Sequence, residues 1–107
     1  MRNKIIGCFY FKKTQSGNLI GEFSNNGIDT FITECANIKE GFEVNNYDAE
    51  YITTWLEDFN PHIAELKIIK TEKNFKLKWC HLNKETIIFE GTAILESNIL
   101  IGKYNSK

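Results

Sequence analysis

The stretch Phe75-Lys76-Leu77-Lys78-Trp79 sets the fold class, because its large apolar residues alternate with lysines. Side chains of a β-strand point alternately to opposite faces of the sheet, so this period of two predicts a half-buried strand. Turn residues flank it, with Glu72-Lys73-Asn74 before it and Asn83-Lys84-Glu85 after it. We therefore predict a strand whose neighbours on both sides run antiparallel to it.

The runs around this strand repeat the same design. Four β-type runs follow one another, separated by short turns: Ile63–Thr71, Phe75–His81, Thr86–Leu95 and Ile99–Asn105. The last two are joined by Glu96-Ser97-Asn98, residues that favour turns. Four consecutive strands and three short turns predict an antiparallel meander.

The first half of the chain contains further β-type runs. Ile5–Lys12, Leu19–Ser24 and Ile28–Ile38 are rich in β-branched and aromatic residues. Gln15–Asn18 and Asn25–Gly27 separate them, and the Asn-Gly pair supplies the positive φ angles of a tight hairpin. These runs extend the predicted meander toward the start of the chain.

The segment Asp48–Phe59 fits two secondary structures. As a strand it places Tyr51, Thr53 and Trp55 on one face, whereas a helix from Asp48 to Phe59 would group apolar residues at helical spacing before Asn60-Pro61. Ile28–Lys39 shows a weaker form of the same ambiguity. We favour strands at both places, which gives about eight strands. Helices near 28–39 and 48–59 would instead give an α+β domain with a six-stranded antiparallel sheet.

Four glycines within the predicted strands favour closure of the sheet. A glycine precedes an aromatic residue by two positions in Gly7-Cys8-Phe9, Gly21-Glu22-Phe23 and Gly102-Lys103-Tyr104, and Phe89-Glu90-Gly91 has the reverse order. Glycines permit strong coiling and leave room for a bulky neighbour on the inner face, although unrelated glycines at bulges would give the same pattern. We therefore predict one all-β domain over residues 1–107, an up-and-down barrel in which the first strand pairs with the last.

Two segments resemble the avidin and lipocalin-like barrels, the calycin group. Ile6-Gly7-Cys8-Phe9-Tyr10 resembles their opening Gly-x-Trp-Tyr strand, with Phe9 in place of the tryptophan. Leu19–Ser24 is similar to their Leu-x-Gly-x-Tyr second strand, and Leu100–Tyr104 echoes it. The resemblance implies an eight-stranded barrel with a ligand site at one mouth. It does not imply biotin binding, because the family's biotin-contacting residues are not matched.

Charge gives few positive indications of function. The net charge of −1 gives no reason to expect nucleic acid or an anionic membrane as a partner. Residues 31–60 hold seven acidic residues and one lysine, and we expect these carboxylates to be solvated rather than catalytic. Ile5-Ile6-Gly7-Cys8 resembles a lipoprotein cleavage site, but the apolar residues before it are too few for a signal peptide. We expect a cytoplasmic protein.

The cysteines and histidines form no recognisable catalytic or metal-binding motif. Cys8, Cys35 and Cys80 are expected to be reduced and partly buried, since their number is odd and no CxxC spacing occurs. His62 is expected in an exposed turn. Cys80 and His81 are adjacent on a strand and therefore point to opposite faces, so they cannot form a catalytic pair. We expect no enzyme activity, no metal and no cofactor.

The interior of the predicted barrel is rich in aromatic side chains. We place Leu19, Leu77 and Tyr51 inward, together with the predicted ligand-binding residues Phe9, Phe23, Trp55, Phe75, Trp79, Phe89 and Tyr104. An eight-stranded barrel is of a size at which such residues either fill the interior or leave a ligand cavity. The first prediction is a non-enzymatic binder of a small apolar or aromatic ligand.

The alternative prediction is a protein-interaction domain with a filled core. Ile5–Phe11, Ile87–Phe89 and Ile99–Ile101 are apolar on both faces, which leaves apolar surface for a homodimer or for a partner of the inhibitor or immunity type.

Overall fold

The computed structural model describes residues 4–107, which form eight β-strands and no helix. The strands are β1 (Ile6–Lys13), β2 (Leu19–Asn25), β3 (Ile32–Ile38), β4 (Ala49–Glu57), β5 (Asn60–Lys70), β6 (Phe75–Cys80), β7 (Ile87–Glu96) and β8 (Ile99–Ser106). Each strand pairs antiparallel with the next, and β1 pairs with β8, so that the sheet closes into a barrel. The predicted all-β, up-and-down barrel of eight strands is confirmed, and both ambiguous segments contain strands.

The strand β4 shows why pairing overrides the helical spacing. Ala49, Tyr51 and Thr53 are buried at every second position, and β4 pairs with β5 along its whole length. Leu56 and Phe59, which a helix would have buried, are 57% and 94% exposed. Hydrogen bonds to two neighbouring strands satisfy the backbone here, so the local apolar spacing does not decide the structure.

Most strand boundaries lie within two residues of the prediction, and two strand starts differ by more. The strand β3 begins at Ile32 rather than Ile28, because a turn and irregular backbone occupy 26–31. The strand β5 begins at Asn60, after a tight turn at Asp58 and Phe59 in which both residues have positive φ. His62 is exposed, as expected, but it lies in this strand and not in a turn, which corrects the prediction.

Close approach between neighbouring strands explains the glycines of the barrel wall. A Cβ atom on Gly21 would lie 1.8 Å from the carbonyl oxygen of Tyr10. A Cβ on Gly102 would lie 2.1 Å from the carbonyl oxygen of Thr92 and 2.8 Å from the ring of Phe9. Any larger residue would push the strands apart. Glycine therefore permits the sheet to coil and an aromatic side chain such as Phe9 to pack against the inner face of the wall.

The barrel has one plugged end and one open end, which we call the mouth. The connections 14–18, 39–48, 71–74 and 97–98 lie at the plugged end, and 26–31, 58–59 and 81–86 lie at the mouth. Tyr47 is buried at the plugged end, where its hydroxyl donates to the carbonyl oxygen of Asn98 at 2.9 Å and also lies 3.3 Å from the carbonyl oxygen of Phe11. The Tyr51 hydroxyl donates to the carbonyl oxygen of Tyr47 at 2.7 Å. These bonds hold segment 39–48 across the end of the barrel.

The cysteines are only partly as expected. All three are free thiols, but Cys8 and Cys35 are exposed because they occupy outward positions of β1 and β3. Cys80 is buried, although it alternates with lysines in the sequence. The pairing of β6 with β7 shifts register between Trp79 and Cys80, and such an irregularity ends the strict alternation.

Candidate functional site: a cavity at the mouth of the barrel

A cavity of about 150 Å³ lies inside the barrel at its mouth. Six of the seven predicted ligand-binding residues line it: Phe9, Phe23, Trp55, Trp79, Phe89 and Tyr104. Ile5, Gly27 and Ile28 contribute to its rim and are partly or fully exposed, so the cavity is open to solvent at this end. The sequence-based selection of inward aromatic residues therefore coincides with the lining of a real space.

Tyr104 stands at the centre of the aromatic lining. The centroid of its ring lies 5.6 Å from that of Phe89 and 6.2 Å from that of Phe23, both in edge-to-face contacts. The centroid distance to the ring of Trp79 is 5.8 Å, in a tilted contact. Phe9 meets Trp79 edge-to-face at 5.5 Å. Such contacts hold each ring in a fixed orientation and leave π-faces available to a ligand.

Phe75 is the predicted site residue that does not line the cavity. It points inward like Trp79 but lies four positions earlier on β6, which places it roughly 13 Å away along the strand, in the direction of the plugged end. There its ring packs against the ring of Tyr47, with a centroid distance of 6.4 Å, and forms part of the hydrophobic core. Leu19, Leu77 and Tyr51 also point inward as predicted and are completely buried in this core.

A buried carboxyl group, that of Glu34, forms part of the cavity lining. On β3 the residues Glu34 and Ala36 are buried while Thr33 and Cys35 are exposed, so alternation places Glu34 inside. Its Oε2 atom accepts hydrogen bonds from the hydroxyl of Thr53 at 2.5 Å and from Nε1 of Trp79 at 2.9 Å. Strands β3, β4 and β6 thus each contribute one residue to a polar cluster within the aromatic interior.

Burial raises the pKa of Glu34 from 4.5 to about 7, against the opposing effect of its hydrogen bonds to Thr53 and Trp79. At neutral pH the group is therefore divided between the acid and the carboxylate. The acid can donate a hydrogen bond to a ligand, and the carboxylate can accept hydrogen bonds or pair with a cation.

Two further polar groups are fixed at the mouth. Glu57 accepts a hydrogen bond from Nε1 of Trp55 at 2.9 Å, and Nδ2 of Asn25 donates to the hydroxyl of Tyr104 at 2.9 Å. Burial raises the pKa of Tyr104 to about 12, so its phenol stays neutral at physiological pH. His62 stacks on Trp55 with a centroid distance of 5.4 Å and extends the aromatic surface outward.

Sequence reasoning missed Glu34, which it counted among the solvated acids of 31–60. A signal was available, because Glu34 shares the inner face of its run with Ile32, Ala36 and Ile38. A carboxylate at an inward position of a strand indicates a polar cluster or a site, since an unpaired buried charge is costly.

A metal-binding cluster and a membrane-spanning helix are both absent from the described residues. Within residues 4–107, no three His, Cys, Asp or Glu side chains are grouped so that they could hold a metal ion. The same residues contain no helix of the length and apolarity that a membrane crossing requires. Comparison of the chain with protein-family models, with curated proteins and with solved structures gives no match.

Proposed function

We propose that this protein is a non-enzymatic binder of a small apolar or aromatic ligand, held in the cavity at the barrel mouth. The observation that carries the proposal is an aromatic-lined space of about 150 Å³ at the open end of a barrel whose other end is plugged by Tyr47. An apolar cavity of about this volume accepts a molecule of the size of benzene. The ligand is thus expected to present one ring, or an aliphatic group of that size, to the interior.

The size of the cavity also bounds the affinity. A ligand of about eight non-hydrogen atoms that gains ~0.5 to 0.7 kcal/mol per atom binds with about 4 to 6 kcal/mol. This range corresponds to a Kd between roughly 1 mM and 40 µM. Tighter binding would require contacts at the rim, where Trp55 and Ile28 are partly exposed.

The test is a titration of the ¹⁵N-labelled protein with toluene, followed by NMR. We expect saturable shifts of the indole N–H signals of Trp79 and Trp55 and of backbone amides at the mouth. Ile28→Trp places a larger side chain on the cavity rim and should abolish them. The matched control Ile20→Trp makes the same change at an exposed position of β2 and should preserve them. The absence of saturable shifts up to millimolar toluene in the wild-type protein would refute the proposal.

Self-association through the outer face is a second candidate function. Ile94 of β7 lies opposite Ile101 of β8, and Ile101 lies opposite Tyr10 of β1. The two isoleucines are 50% and 44% exposed, so an apolar strip crosses three neighbouring strands. Sedimentation of wild-type protein and of Ile101→Lys tests this alternative, which predicts a dimer that the lysine dissociates. A wild-type monomer at high concentration would exclude it.

A further inference from the structure

The cavity contains a hydrogen-bond acceptor that the fold itself does not use. Both hydrogen bonds to the Glu34 carboxyl end on Oε2, and no donor within residues 4–107 bonds to Oε1. Every fully buried side-chain oxygen or nitrogen in this part of the chain has a partner. Oε1 is therefore not fully enclosed, and the cavity that Glu34 lines is the space it faces.

Every charged side chain of the cavity lining within the described residues is acidic. The other titratable side chains of the lining are Glu57 from β4 and Tyr104 from β8, and no lysine, arginine or histidine of residues 4–107 contributes to it. Glu57 lies at the mouth, where it accepts a hydrogen bond from Nε1 of Trp55, and the phenol of Tyr104 is uncharged at neutral pH. An entering cation thus encounters one carboxylate at the mouth and a second inside.

The aromatic walls favour the same kind of ligand. Cations are attracted to the faces of aromatic rings, most strongly to tryptophan, and the attraction increases when water is excluded. Trp79 both lines the cavity and donates to Glu34, so a ligand that reaches Oε1 lies beside an indole ring. A purely apolar ligand would gain nothing from a buried carboxyl group, which is costly to keep inside a core.

On the basis of the proposed function, we infer that the ligand is a small organic cation: a protonated amine on an aromatic or aliphatic body. Its N–H groups donate to Oε1 of Glu34, and its body lies against the rings of Trp79 and Phe9. The carboxyl group sets the class of ligand, and the aromatic walls limit its size.

Three probes that share one ring separate this inference from the proposed function. Benzylamine carries the cation, benzyl alcohol a neutral donor, and toluene neither. We expect benzylamine to bind at least about tenfold more tightly than toluene, since toluene forms no hydrogen bond and a hydrogen bond between charged groups is among the strongest in proteins. Binding of toluene and benzylamine with equal affinity would overturn the inference and leave the proposed function intact. Tighter binding of benzyl alcohol than of benzylamine would assign a neutral donor instead. No binding by any of the three would refute both.

The variant Glu34→Gln tests the role of the carboxylate. Glutamine can still accept from Thr53 and Trp79 but carries no charge, so the ratio of benzylamine affinity to toluene affinity should fall to about one. The matched control Glu72→Gln makes the same change in an exposed turn at the plugged end and should retain the preference. A preference that survives Glu34→Gln would overturn the inference.

Proton release supplies a readout that does not require the variant to fold. Benzylamine stays protonated near pH 6.5, whereas Glu34 is largely the neutral acid and must ionise to pair with it. Calorimetry in two buffers of different ionisation enthalpy should show release of most of one proton per benzylamine bound and none for toluene. Absence of proton release with benzylamine would contradict pairing with Glu34.

Discussion

Replacing Glu34 by glutamine tests whether the buried carboxyl weakens the fold at neutral pH. Burial raises its pKa from 4.5 to about 7, so the folded protein binds the proton more tightly than the unfolded chain does. The stabilisation from this proton is complete below the unfolded pKa and is lost as the pH rises from 4.5 through 7. Linkage gives a total loss of about 3 kcal/mol, most of which falls between pH 5 and pH 7.5.

The assay is urea unfolding of wild-type protein and Glu34→Gln at these two pH values, followed by tryptophan fluorescence. Other titrating groups cancel in the difference between the two proteins, and glutamine keeps an acceptor for Thr53 and Trp79. We expect the unfolding free energy of the variant to rise by about 2 kcal/mol relative to wild type from pH 5 to pH 7.5. Glu72→Gln should show no such change. If the difference in unfolding free energy between wild type and Glu34→Gln is the same at both pH values within ~0.5 kcal/mol, a raised pKa at this site is refuted.

Three further predictions concern the wall, the plug and the ligand. Gly21→Ala should lower the unfolding free energy by at least ~2 kcal/mol, since its Cβ would lie 1.8 Å from a backbone oxygen, whereas Gly27→Ala, with its nearest atom at 3.3 Å, should cost under ~1 kcal/mol. Equal losses in urea unfolding would argue against close approach of the strands. Tyr47→Phe should cost about 1 to 2 kcal/mol by removing the hydrogen-bond donor that the carbonyl oxygens of Asn98 and Phe11 share but leave toluene affinity unchanged in an NMR titration. A weakened toluene affinity would show that the plug shapes the cavity. Benzylamine should bind about 20-fold more tightly at pH 7.5 than at pH 5.5 as Glu34 ionises, and a pH-independent Kd would contradict this.

The barrel could be predicted from sequence because its signals are local. Alternation in β6, turn residues between runs and glycines two positions from aromatic residues all act within about ten residues. Closure of the sheet, and with it the closing pair of β1 with β8, was favoured by four strand glycines that lie two positions from aromatic residues: Gly7, Gly21, Gly91 and Gly102. Boundaries such as the start of β3 at Ile32 were missed, because irregular backbone at 26–31 carries β-type residues.

The site could be predicted only in part, because the position of each inward residue along the barrel axis depends on the register between neighbouring strands. Phe75 and Trp79 share one face of β6, yet only Trp79 reaches the mouth. Trp79, which donates a hydrogen bond to Glu34, lies 45 positions further along the chain, so no local sequence pattern indicates this pair. The plug Tyr47 lies in a segment without periodicity. The cavity itself is the small volume that remains after all inward side chains are packed, which no single run specifies.

The closing pair also has a consequence for the folding kinetics. Seven of the eight strand pairs join neighbours in sequence, but the pairing of β1 with β8 brings Ile6 opposite Asn105. Forming this last contact requires closure of nearly the whole chain, and such non-local contacts slow folding. We expect the junction of β1 with β8 to form late, and its amides to exchange hydrogen with solvent sooner than those of β4 and β5. While it is open, the two strands expose complementary edges through which two copies of the chain can exchange strands.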